Sequence, residues 1–218
     1  MKSKFLKLTS MLMVVFLTAG AFGLRANADS EKESTYYYQW NNATDEERYE
    51  LPVEVKAWAV GLSVNEFTLF SKVVESEAYR GEDLTDRILV ACVIINRYND
   101  GRFGRSITGV LTRPGQFATV SLNEETGRYV TIANRTNASD WAIIEAYRKL
   151  AADEIPSDLL YFNSINFDRS RYDFVFGGGN YFSCENPIDP RYLEQFEEVD
   201  EETDEETSGV VSCSFLYR

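Results

Sequence analysis

Histidine is missing from all 218 residues. Its absence excludes Ser-His-Asp and Cys-His nucleophilic sites, and it removes the histidine ligands on which most catalytic zinc sites depend. Any acid-base chemistry therefore falls to carboxylates. Basic residues are scarce too: 22 lysines and arginines face 35 aspartates and glutamates, a formal balance of −13. Such a chain repels phosphate backbones, so nucleic acid is not an expected partner. No phosphate-cradling glycine motif occurs, and no cofactor or metal is expected. A carboxylate- and aromatic-rich chain of this kind fits glycan cleavage better than most other chemistries.

What is present is the composition of a folded protein, 44% hydrophobic and 14% aromatic, and the length suits one domain. Lys2, Lys4 and Lys7 precede an apolar stretch from Leu8 to Leu24, and Ala26-Asn27-Ala28 supplies small residues for cleavage. Residues 1–28 thus read as a secretory signal peptide, with an uncleaved membrane anchor as the alternative. After cleavage no membrane span is expected, and the product belongs outside the cell or in its wall. Removing Lys2, Lys4, Lys7 and Arg25 from the 22 basic residues leaves 18 against 35 acidic ones, a balance of −17. Nine of the acids crowd between Glu194 and Glu206 with no base among them, which reads as a solvated linker inside a tail over 191–218. Of three cysteines, Cys92 lies in an apolar run and reads as a buried small residue. Cys184 and Cys213 flank the acidic run; export permits a disulfide between them, and spacing leaves the pairing open.

Residues 29–62 read as an irregular lead with a short element from Val53 to Ala59. The pattern Ser63-Val64-Asn65-Glu66 is a capping box, so a helix is expected from Ser63 to Tyr79. Phe67, Phe70, Val73, Val74 and Ala78 fall on one stripe of that helix, with Thr68, Ser71, Lys72 and Glu75 opposite. Glu75 is expected to be solvated, near Lys72. Glu77 falls inside the apolar stripe, where desolvation raises a carboxyl pKa. Two readings stand at this point: a structural ion pair with Arg80 or Arg97, or a general acid.

Further along, Thr85 is positioned to cap a helix running to about Asn99, apolar on every side from Ile88 to Ile95 and therefore central. A short helix over Ser106–Leu111 is stopped by Pro114-Gly115, which delivers Gln116-Phe117. Residues 121–136 read as loop with a short strand near Tyr129–Ile132. A third long helix is expected from Asn137 or Ser139 to about Ala152. From Leu159 to Phe182 the aromatics Tyr161, Phe162, Phe167, Tyr172, Phe174, Phe176 and Tyr181 suit either a small packed sheet or stacking on sugar rings.

The ordered motifs Val74-Glu75-Ser76-Glu77-Ala78, Ile94-Ile95-Asn96-Arg97, Gly115-Gln116-Phe117, Leu160-Tyr161-Phe162 and Gly178-Gly179-Asn180-Tyr181-Phe182 resemble the spore cortex-lytic and cell wall hydrolase family. The likeness spans about residues 63–183. It implies an α+β, mainly α fold, a lysozyme-like, lytic transglycosylase-like single domain with a few short strands, here over 63–190. It also implies a peptidoglycan hydrolase cutting between N-acetylmuramic acid and N-acetylglucosamine, with glycan strands as partner. The family's catalytic glutamate matches Glu77. Gln116, Phe117, Tyr161, Asn163 and Asn180 become candidates for holding substrate. A lytic transglycosylase with one acid is the leading expectation. The alternatives are a hydrolytic muramidase with Glu82 or Asp86 activating water, and a catalytically silent wall-binding protein. Two departures bear on this: the loop after Ala78 is one residue longer than the family pattern, and Asn180 stands where the family commonly has histidine. Asparagine hydrogen-bonds but does not titrate.

Overall fold

The capping signal at Ser63 is realised. Ser63 Oγ accepts from the Glu66 backbone N–H at 3.2 Å and donates to the Glu66 carboxylate at 3.2 Å, and the helix follows over Val64–Glu77. The structure is a computed structural model describing residues 28–78 and 83–194. The expected signal peptide, Arg80, Glu82, the acidic run beyond Glu194 and Cys213 lie outside the described residues. The chain divides into two compact units, with the boundary between Thr68 and Leu69.

In the first unit, α1 spans Ala28–Asn42, α2 Asp45–Glu50 and α3 Val53–Ala59, so the lead is helical rather than irregular. The sequence signal was weak because α1 carries tyrosines and polar residues around its whole circumference, leaving no stripe to recognise. Thr44 and Glu47 form a full capping box for α2, and Asp45, Glu46 and Glu47 lie at its positive end. Tyr37 of α1 meets Trp58 of α3 edge-on at 6.3 Å. Lys56 is fully buried, with its ammonium 5.7 Å from the Tyr49 ring centroid.

The second unit is built around α5, Thr85–Asp100, after α4, Val64–Glu77. Every residue of α5 from Thr85 to Arg97 is buried, as its all-round apolar run requires. It packs against α6 (Ile107–Leu111), α7 (Asn137–Ala151) and β3 (Leu159–Asn163). Thr85 does not cap this helix. The N-cap residue is Leu84, which gives no side-chain cap; Asp83 before it accepts from the Thr85 backbone N–H at 2.9 Å and from its hydroxyl at 2.7 Å. At the other end Gly101 adopts φ 76°, a left-handed stop that glycine tolerates. Asn96 donates to the carbonyls of Pro156 and Leu159, and Arg97 Nε to that of Leu160 at 2.8 Å. These bonds tie the polar end of α5 to β3.

Residues 120–131 form a hairpin, β1 (Val120–Asn123) with β2 (Arg128–Thr131), rather than loop with one strand. Its Leu122, Tyr129 and Val130 are exposed, so neither strand shows the in-out alternation that marks a half-buried sheet. The other sheet has the order β3-β5-β4, all antiparallel, with β4 at Tyr172–Phe176 and β5 at Tyr181–Cys184. The fold is mainly helical with short strands, α+β as expected.

The apolar stripe of α4 is confirmed: Phe67, Phe70, Val73, Val74 and Ala78 are buried. The polar side is not as expected. Ser71 is fully buried, bonded to Ser139 at 2.8 Å and Asp140 at 2.7 Å. Glu75 is buried as well, and not solvated beside Lys72. Its carboxylate receives Arg87 Nε at 3.1 Å, Arg87 Nη2 at 3.3 Å and the Thr136 hydroxyl at 2.9 Å. A wheel that assumes one buried face fails here because α4 is enclosed on two sides. The second is a polar seam with α7, in which Arg135 also pairs with Asp140.

Candidate active site

Glu77 is the last residue of α4 and is part-buried. The Thr119 hydroxyl donates to its Oε1 at 2.5 Å, and the Thr119 backbone N–H points to the same oxygen at 3.4 Å. Thr119 stands immediately before β1, so the Pro114–Thr119 turn brings a donor to the end of a helix 42 residues earlier in sequence. Among the described residues no ion pair holds Glu77. Arg97, one of the two cations considered for it, sends its Nε to Leu160 instead. Arg97 nonetheless feels Glu77: burial pulls its guanidinium down to about 10, and the nearby Tyr161 and Glu77 pull the other way. Its guanidinium lies 5.2 Å from the Phe103 ring centroid and 5.4 Å from that of Phe117, so the cation is held in an aromatic slot.

Asn180 is buried and joins three segments. Its side-chain Nδ2 donates to the Glu77 carbonyl at 3.1 Å and to Asp86 Oδ2 at 2.7 Å, while its backbone N–H donates to Asp86 Oδ1 at 2.8 Å. Gly179 N–H adds a bond to the same oxygen at 3.2 Å. The clamp serves an acceptor left free where α4 ends and locks the β4–β5 turn onto the start of α5. Close approach is needed: a Cβ at Gly177 would stand 2.8 Å from Asp86 Oδ1 and 2.8 Å from the Phe182 ring. Asp86 itself is 1% exposed with both oxygens engaged. It is therefore closed off as a base for an attacking water.

The remaining residues singled out from sequence divide into wall and rim. Phe117 is buried, 6.4 Å from Phe162. Gln116 is part-buried; its Nε2 reaches the Phe103 carbonyl at 3.4 Å, and its Oε1 is buried with no partner among the described residues. Tyr161 lies edge-on to Phe103 at 6.5 Å. Asn163 is exposed, with Oδ1 accepting from Ile165 N–H at 2.9 Å. Tyr161 and Asn163 both line a cavity of about 90 Å3. Cys184 is a buried free thiol in β5; its suggested partner Cys213 lies outside the described residues. Thr119 was not anticipated. Its only signal is its place two residues after Gln116-Phe117, and pairing across 42 residues leaves no periodic trace.

Residues 81–175 match the family model described as Cell Wall Hydrolase. The match begins at Gly81, four residues past Glu77. The chain is also similar to the crystal structure of the catalytic domain of the Bacillus cereus SleB protein, at 21% identity and a TM-score of 0.43, covering 56% of this chain and 91% of that one. A second similar structure is the catalytic domain of the germination-specific lytic transglycosylase SleB from Bacillus anthracis, also at 21% identity and 0.43, covering 56% and 97%. Both likenesses are distant. No curated protein matches the chain.

Proposed function

We propose that the protein is a secreted lytic transglycosylase of peptidoglycan that uses Glu77 as its single acid and base. Protonated Glu77 gives its proton to the glycosidic oxygen linking N-acetylmuramic acid to N-acetylglucosamine, and the C1–O bond breaks with oxocarbenium character. The muramoyl C6 hydroxyl then attacks C1 and returns its proton to Glu77, leaving a 1,6-anhydro end. Neither a second carboxylate nor water is consumed. The observation that supports this reading is the state of Asp86: of the two carboxylates considered for activating water, Asp86 is buried and bonded to Asn180 and Gly179, while Glu82 lies outside the described residues.

The silent wall-binding alternative drew on Asn180 replacing a histidine and on the longer loop after Ala78, whose residues 79–82 lie outside the described residues. As a clamp between Glu77 and Asp86, Asn180 has work that needs no titration, which supports the catalytic reading. Incubation of purified sacculi with the protein and mass analysis of the soluble muropeptides tests the proposal. Anhydro-ended products are expected. Reducing ends would shift the reading to a muramidase, and release unaffected by Glu77→Gln would remove Glu77 from the mechanism.

A further inference from the structure

No residue of the β1–β2 hairpin, 120–132, is buried, and Leu122, Tyr129, Val130 and Ile132 are exposed. A two-stranded hairpin with so little burial takes its position from its two roots. Both roots are fastened to the last turn of α4, at neighbouring residues. The entry root is Thr119, whose hydroxyl and backbone N–H reach Glu77 Oε1. The exit root is Ala133, whose backbone N–H donates to Ser76 Oγ at 3.1 Å. Ser76 in turn donates to the Lys72 carbonyl at 2.7 Å, one turn earlier in α4, which fixes the hydroxyl and leaves its oxygen free to accept. The strands connect the roots. The Thr131 hydroxyl donates to the Ala133 carbonyl at 2.8 Å, and Thr131 pairs with Val120, the residue after Thr119. A ring of contacts therefore leaves α4 at Ser76, crosses the ladder and returns to α4 at Glu77.

We infer that Ser76 is a positioning residue for Glu77: by holding the exit of the hairpin, it keeps Thr119, at the entry, on the Glu77 carboxylate. The inference rests on Glu77 as the acid of the proposed reaction. The effect passes from Ser76 through Ala133, the β1–β2 ladder and Thr119. A freed exit leaves the hairpin hinged at its entry alone, so the Thr119 hydroxyl strays from the oxygen it holds. The acid then spends less time aimed at the glycosidic oxygen, and turnover falls with that fraction.

Amide hydrogen exchange on the full chain, read by mass spectrometry, tests the coupling without substrate. Ser76→Ala should speed exchange in peptides covering 133–136 and also in those covering 118–121 at the other root, while α5 keeps its rate. Thr119→Val should in return speed exchange at 133–136, because coupling between two sites is reciprocal. Alanine is the better helix former and offsets part of the lost bond, so the thermal midpoint should stay near that of the unsubstituted chain and certifies folding. Ser76→Ala is expected to slow muropeptide release about three- to tenfold, the share of one hydrogen bond. Ser76→Thr, which keeps the hydroxyl, should restore it. In a Thr119→Val background, adding Ser76→Ala should change release by less than about twofold, since the residue it acts through is already gone. A multiplied loss in the double variant, exchange that rises at 133–136 alone, or a folded Ser76→Thr as slow as Ser76→Ala overturns the positioning role. The two readouts separate the claims. No release by the unsubstituted chain removes the proposed reaction while exchange still judges the coupling; release with uncoupled exchange keeps the reaction and removes the role of Ser76.

Discussion

Two carboxylates two positions apart on α4 receive opposite tasks from their surroundings. Glu75 is sealed against Arg87 and Thr136, and Glu77 is part-buried and, among the described residues, its side chain is held by Thr119. Breaking a buried pair by removing one partner strands the other charge, so Glu75→Gln should cost about 3–5 kcal/mol in chemical denaturation. Glu77→Gln should leave the denaturation midpoint within error and reduce muropeptide release by about 10²-fold or more, the usual share of a general acid. Equal destabilisation by the two substitutions would show that both carboxylates are structural. Thr119→Val removes a hydrogen bond to a carboxylate, worth about 1.5–3 kcal/mol when charge-assisted, so turnover should fall about tenfold or more. Thr119→Ser should restore it, which a merely space-filling threonine would not do. The periodicity of α4 misplaced Glu75. A wheel sees one apolar face, and it does not see the polar seam that Ser71, Ser139 and Asp140 build on another.

At the scale of elements, the parts legible in the sequence were those whose signal is local. The capping box at Ser63, the unbroken apolar run of α5, the Pro114-Gly115 stop and the aromatic sheet each carry their cause within a few residues. The lead helices and the β1–β2 hairpin did not, because α1 has no apolar stripe and the hairpin exposes Leu122, Tyr129 and Val130. The clamp between the β4–β5 turn and α5 was equally hidden. It joins residues more than 90 positions apart, Asn180 to Asp86. Gly177 reports on it most directly. Gly177→Ala places a methyl group 2.8 Å from both Asp86 Oδ1 and the Phe182 ring, overpacking that should cost about 1–3 kcal/mol. Because the same turn carries Asn180 to the Glu77 carbonyl, this variant should also lose muropeptide release at temperatures where it remains folded. Full activity with lowered stability would separate the clamp from catalysis.

On the scale of the whole second unit, two buried thiols test whether helices and sheet open together. Cys92 lies in the middle of α5 and Cys184 at the end of β5, and both are fully buried. Burial pushes both thiols above their ordinary range, with Asp158 adding to the effect at Cys184. The thiolate is the reactive form, so native protein under reducing conditions should leave both unmodified by iodoacetamide at pH 8. Raising urea should expose them. Asn96 and Arg97 bind α5 directly to the backbone of β3 and the residues before it, and β3 pairs with β5. Opening the sheet therefore breaks bonds that α5 also depends on, the condition for a single cooperative transition. Peptide mapping across the titration should give one urea midpoint for Cys92 and Cys184. Labelling of Cys184 at clearly lower urea would mean that the sheet, which carries Tyr161, Asn180 and Tyr181, opens while α5 stays folded.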